Sequence, residues 1–350
     1  MKQPRPVTLF ALATLAPLPL LGLGAALGGV WIALALIYLT VFTFVLDQAI
    51  SHVAPDAPEG CEFPAADGLS AALAVAHFLL LALAIWAVSG QSGLSVPARI
   101  AAFLAFGLFF GQVSNSNAHE LIHRASRPLN RLGQWVYISL LFGHHASAHP
   151  RVHHRFVATP DDPNSARPGE SFYLFAPRAW AGSFRAGWLA ETRLMQSRTP
   201  PPHVWRHPYA VYVGGALALL AASTLIFGWA GLLAHLGLAA YATAQLLLSD
   251  YVQHYGLQRR RLEDGRYAPV AARHSWNSPH WFSSYLMLNA PRHSDHHAHP
   301  ARRYPALHLP DRQEAPTLPL GLPAMATLAL FPSAWRRVMD QRVTRWRRTE

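Results

Sequence analysis

The chain has 350 residues, 51% of them hydrophobic and 13% charged; soluble domains carry about 25% charged residues, so an ordinary soluble globule is excluded. Net charge is +11 and Lys2 is the only lysine; such a basic balance also marks nucleic-acid binders, but here the arginines fall between apolar stretches, where the positive-inside rule puts them. A single cysteine, Cys61, leaves no internal disulfide, iron–sulfur or CxxC redox centre in this chain.

A helix needs about 20 mostly apolar residues to cross a bilayer. Six stretches qualify, at about 7–28, 30–46, 69–88, 100–115, 209–229 and 232–248. The first follows Lys2 and Arg5, as a signal peptide would, and contains Pro17 and Pro19. Its apolar run exceeds a signal core and a second span follows at once, so it reads as a retained helix. Spans five and six are joined by a few residues around Gly231, so parity puts segments 116–208 and 249–350 on one side. These segments hold 11 and 15 of the 29 basic residues, which assigns them to the cytoplasm. The loop 47–67 should share that side although it is acidic and lacks Lys and Arg; acidic residues count little in the rule. Residues 305–323, rich in proline and leucine, read as an extended crossing. The basic, aromatic tail 335–348 suits lipid headgroups or solvent.

Nine histidines stand in four groups, all in the two basic segments or at helix ends opening into them. They are His119 and His123 in HELIH, His149, His153 and His154 in HPRVHH, His254 in HYGL, and His293, His296 and His297 in HSDHH. Imidazole binds first-row transition metals well, and nine ligands are too many for one ion, so two are implied. His119 and His123, four apart, share a helix face. HExxH alone signals a zinc protease, but that reading leaves six histidines idle. In HxxxHH the i, i+4 pair should share a face while the adjacent histidine points elsewhere, so that two rings serve one metal and the third its neighbour. HxxHH offers the same arrangement one residue shorter. An all-imidazole set suits iron, copper, nickel or zinc by softness. Structural zinc would often bring cysteine, and two redox-active metals beside an apolar space fit oxygen chemistry, so iron is preferred. A histidine-lined metal transporter is the non-enzymatic alternative, although transporter ligands sit near mid-bilayer.

Longer strings carry a resemblance. VATPDDPNSARPGESFYLF (157–175), HYGLQRRRLEDGRY (254–267), HSWNSPH (274–280) and RHSDHHAHPARRY (292–304), together with the three histidine boxes, resemble the membrane alkane monooxygenase (alkane 1-monooxygenase) family of the membrane desaturase and hydroxylase superfamily. The resemblance implies one all-α integral membrane domain over 1–350, with about six transmembrane helices and a cytosolic histidine-rich di-iron cap, in an inner (cell) membrane of bacterial type. It implies nine iron ligands, His119, His123, His149, His153, His154, His254, His293, His296 and His297, around two non-haem irons. The implied activity is hydroxylation of the terminal methyl of n-alkanes, with dioxygen and two electrons from a rubredoxin or ferredoxin served by a flavin-dependent reductase. The box spacings leave open a hydroxylase of another apolar methyl group (alkyl-aromatic, fatty acyl or terpene) or an acyl desaturase; the long strings favour alkanes, and HYGL and His254 argue against the desaturase.

The chain departs from the family strings at Ala148 and Val152 in the second box, and at Asp250 and Gln253, where the family has asparagine and glutamate. Metal-bound histidines usually pass their second N–H to a carboxylate or carbonyl. Asp295, inside a ligand box, is the first candidate for that role, with Glu120, Glu170 and Asp250 beside it. Arg151, Arg155, Arg302 and Arg303 flank the ligands and could meet an acidic electron donor or form loop ion pairs. His144, His145, His274, His280 and His299 lie near the boxes but are not counted as ligands. His77 and His235 fall within spans and require polar partners there.

Overall fold

Alanine and leucine lose little on entering a helix, and the runs of both residues in this chain form helices nearly everywhere. The computed structural model describes residues 6–50, 52–58 and 61–348, so Lys2 and Arg5 lie outside the described residues. Helices α1 (Val7–Leu27), α2 (Gly29–Ala49), α3 (Pro64–Val88) and α4 (Val96–Ile122) come first. Next are α5 (Arg127–Ser139), the amphipathic α6 (Phe172–Gln196) and α7 (Pro208–His254). The C-terminal part carries the short helices α8 (Trp281–Leu286) and α9 (His293–Ala298), then α10 (Leu322–Ala329) and α11 (Pro332–Arg347). Among the described residues β-structure is confined to two isolated bridges. The protein is an all-helical, multi-pass membrane protein.

Five helices, α1 to α4 and α7, are long and apolar enough to cross a bilayer. The 47 residues of α7 would measure about 70 Å if straight, over twice the roughly 30 Å hydrocarbon core. They are not straight. At Gly228 the backbone takes φ 66° and ψ −167°, a conformation open to glycine. Beyond it the chain doubles back: Ser223 Oγ and His235 Nδ1 meet at 2.8 Å, although twelve residues of straight helix would hold them about 18 Å apart. The expected fifth and sixth spans are therefore two arms of one hairpin. The reversal needs one glycine at 228 and no polar loop at Gly231.

α5 is a re-entrant helix. It leaves the histidine end of α4 and packs back along it, with Gly133 in the contact; a Cβ there would fall 2.7 Å from Leu121 Cβ and 2.9 Å from Ala118 O. Its last carbonyls end deep among the spans, at the level of Ser223. Carbonyls at a helix C-terminus lack partners within the helix, and no water reaches them in hydrocarbon. One intramembrane histidine and a threonine of α7 meet this need. His235 Nε2 donates to Ser139 O at 2.7 Å, and Thr243 Oγ1 donates to Leu140 O at 3.1 Å. His77 bridges Ser139 Oγ (2.8 Å) to Ser114 Oγ (2.9 Å) on α4. Replacing His235 with phenylalanine should orphan the Ser139 carbonyl and cost about 1–3 kcal/mol. Thermal unfolding in detergent reads this as a lower midpoint, with metal content unchanged.

The tail is not a free basic arm. α11 buries Trp335, Met339 and Val343, Asp340 Oδ1 accepts from Tyr255 Oη at 2.6 Å, and Arg347 donates to Gly256 O at 2.8 Å. Gly256, at φ 72°, lets Val343 pack on the turn that follows His254. The tail thus braces the end of α7.

Candidate metal centre

α4, the segment after α5, the end of α7, and α9 converge at one end of the bundle. Each brings a histidine group. His119 lies in the last turns of α4 and His123 ends the helix. In the second box, residues His149–His153 form a π turn, closed by the N–H of His154 on the carbonyl of His149. An i→i+5 turn brings residues five apart into register, so His149 pairs with His154, not with His153 as α-helical spacing had suggested. In α9 the ordinary i, i+4 pair is His293 with His297, and His296 points to the other side.

The nine side chains sort into two sets. His119, His123, His149, His154 and His296 form one; His153, His254, His293 and His297 form the other. Within each set the candidate ligand atoms all lie within 4.8 Å of one another. His149 Nε2 is 2.8 Å from His119 Nε2 and 2.9 Å from His154 Nε2, and His296 Nε2 is 3.1 Å from His154 Nε2. In the second set His293 Nε2 is 2.9 Å from His254 Nε2 and 3.1 Å from His297 Nε2. Metal–imidazole bonds of about 2.0–2.1 Å at right angles place neighbouring nitrogens about 2.9 Å apart. His123 Nε2 and His153 Nε2 are buried with no hydrogen-bond partner among the described residues, a costly state for a polar atom unless something else engages it. The residues therefore fit two metal ions.

The electrostatics agree. Burial first, and neighbouring imidazoles second, hold His149, His154, His293, His296 and His297 well below the usual imidazole range. They are neutral at pH 7, with lone pairs available. His153 is the exception. Burial also works against its charged form, but the Asp162 carboxylate, helped by Asp250, outweighs it and raises the value. Burial penalises the Asp162 carboxylate too, and His153 more than offsets that, so the acid stays below its usual range. His153 Nδ1 donates to Asp162 Oδ2 at 2.9 Å, which leaves Nε2 as the ligand atom and makes it more basic.

The expected carboxylate partners stand elsewhere. Asp295 is taken up by Arg302 and His299 and by the N–H of His308. Glu120 pairs with Arg124 and accepts from Tyr304 N; Glu170 is held by Arg178. Asp250 Oδ2 accepts from Asn164 at 2.6 Å. Among the described residues none of these four hydrogen-bonds one of the nine histidines, and Asp162 does. It lies in the TPDDPN string, which the sequence marked for resemblance but not for a role. His274 contributes through its carbonyl, which accepts from His254 Nδ1 at 3.3 Å. Three of the four flanking arginines are in ion pairs, Arg151 with Glu191, Arg302 with Asp295 and Arg303 with Asp67; Arg155 stays exposed and lies over Phe156.

Two cavities lead to the histidines. A small one, about 50 Å³, touches His119 and His149 of one set and His293 of the other. Through Gly111, Ser249 and Met287 it adjoins a larger one of about 610 Å³ between α2, α4, α7 and α10. The larger cavity is mostly apolar, and its rim includes Val41, Phe44 and Phe331, exposed on the bundle's outer surface.

Membrane-crossing helices that end at twin clusters of buried and half-buried imidazoles, with an apolar cavity leading in, define a histidine-box membrane protein whose residues could hold two metal ions. The fatty acid desaturase family signature matches residues 94–329. The chain is 33% identical to alkane 1-monooxygenase 2 of Pseudomonas aeruginosa, over 85% of this chain and 80% of that protein. It is 38% identical to alkane 1-monooxygenase 1 of the same species (70% and 64%) and 38% identical to alkane 1-monooxygenase 1 of Alcanivorax borkumensis (77% and 66%). The chain belongs to the alkane 1-monooxygenase family, within the fatty acid desaturase proteins.

Proposed function

We propose that this protein hydroxylates the terminal methyl group of n-alkanes to primary alcohols, with the two histidine sets holding two non-haem irons. The observation that carries the reading is the paired imidazole sets at the closed end of an apolar cavity whose rim faces the lipid side. Relatives named alkane 1-monooxygenases support the substrate class.

Iron, when bound, supplies the activation of dioxygen; overall, dioxygen, two electrons and two protons yield one water and one oxygen atom in the terminal C–H bond. The protein's own contribution is positional. The larger cavity takes the chain, and the neck at Gly111 admits its end. A side chain at Gly111 would strike Gln245, whose Cδ lies 2.1 Å from an ideal Cβ there, so the width of the neck depends on glycine. The small cavity would take the chain's end beside His119, His149 and His293, and a chain that fills it would displace water from the site. Asp162 fixes the His153 ring and its tautomer.

The arginine excess in 116–208 and 249–350 supports a cytoplasmic metal face in an inner membrane. Electrons then come from a soluble rubredoxin or ferredoxin with its flavin-dependent reductase. Arg155, exposed at the second box, is a candidate contact for that acidic partner. The test uses membranes holding the protein, rubredoxin and its reductase, with alkanes of graded length under labelled dioxygen. Label in a primary alcohol is the expected result. Label only in water with a double bond formed would make the protein a desaturase, and metal uptake without oxygen-dependent turnover would make it a transporter.

A further inference from the structure

We infer that Asp250 is a positioning residue for the four-histidine set and acts on it through Asn164 and Asp162. The inference rests on the reading of the nine histidines as metal ligands. A continuous line of hydrogen bonds joins the residues. Asp250 Oδ2 accepts from Asn164 Nδ2 at 2.6 Å. The Asn164 backbone N–H donates to Asp162 Oδ1 at 3.1 Å. Asp162 Oδ2 accepts from His153 Nδ1 at 2.9 Å and from Ser165 Oγ at 2.7 Å. All these side chains are buried.

The line is needed because of where Asp162 sits. Residues 157–171 form irregular turns between the second box and α6, so no helix fixes the carboxylate that orients His153. Its placement comes from side chains. Asn164 is the post that holds it, and Asp250 anchors that post to α7. Asp250 lies four residues before His254, on the same face of the helix. One helix thus supplies a ligand to the four-histidine set and braces a second ligand of that set across 86 residues of sequence. Among the described residues the five-histidine set has no such brace at the second box: Nδ1 of His149 and of His154 has no partner there. Loss of the line should therefore affect one metal and spare the other.

The experiment titrates metal-free protein in detergent with Co²⁺ and follows both heat and the cobalt d–d absorption band. Wild-type protein should show two sites. Asn164→Ala and Asp250→Ala should each weaken one site about 10-fold, at the low end of outer-shell effects, and alter the absorption of that site only. The double variant should also lose about 10-fold, since both residues act through one line, and not the roughly 100-fold of independent effects. Asp250→Asn, which keeps an acceptor for Asn164, should stay within about threefold of wild type by the same logic of a retained hydrogen bond. Should Asp250→Ala not fold, Asn164→Ala, outside the spans, reads the same site. Equal weakening of both sites, weakening of neither, or additive losses would overturn the inference. Wild-type protein with fewer than two sites would instead overturn the ligand reading beneath it.

Discussion

His149→Ala should leave the protein with one metal where two were bound and should nearly abolish alkane hydroxylation. His149 is the hub of the five-histidine set, with its Nε2 within 2.8 Å of His119 Nε2 and 2.9 Å of His154 Nε2. It also lines the small cavity proposed to take the end of the alkane. Loss of an outer-shell partner typically costs roughly 10–100-fold in metal affinity or activity; loss of a ligand at the hub should exceed about 100-fold by that scale. The check is elemental analysis of purified protein alongside the alcohol yield. His299→Ala serves as the control, because that ring is about half exposed and, among the described residues, bonds only to Asp295; it should keep both metals. A full complement of two metals in His149→Ala would refute the ligand assignment.

The second large effect concerns the loop before α3. Arg292, next to the third box, is buried, and its guanidinium donates to the carbonyls of Ala54 and Leu307 and to Asp56. It ties the chain after α2 to the start of α9. Arg292→Met keeps the length and removes the donors. Two buried carbonyls then go unpaired at about 1–3 kcal/mol each, so a loss of about 3 kcal/mol or more is expected. That amounts to a large part of the stability of an ordinary domain. The variant should unfold at a clearly lower temperature in detergent, and residues 52–58 should become the first site of proteolysis. A midpoint within a degree of wild type would show that the tie is dispensable.

Much of this was legible in the sequence, for physical reasons that also mark the limits. Long apolar runs announce spans, and the nine histidines announce their own convergence. The pair in HxxHH could be read from α-helical spacing, because α9 is an ordinary helix. The pair in HxxxHH could not, since the turn there is π. A signal was present in Pro150, which has no N–H to donate and disturbs the regular ladder. Glu120 and Asp295 look like natural partners because they adjoin ligands, yet adjacent residues on a helix point about 100° apart. Asp162, eight residues beyond His154 in an irregular turn, is the acid that meets a ring. The need of His77 and His235 for polar partners was legible; that both would serve Ser139 was not, because the contact joins α5 to residues 62 and 96 positions away.

Histidines from α9 complete both sets, His296 in one and His293 and His297 in the other. During synthesis, then, neither set is complete until α9 has emerged and docked. A product that stops before α9 lacks three donors, one of five in the first set and two of four in the second. If the two sets hold irons as proposed, both full sites would exist only after α9 has docked.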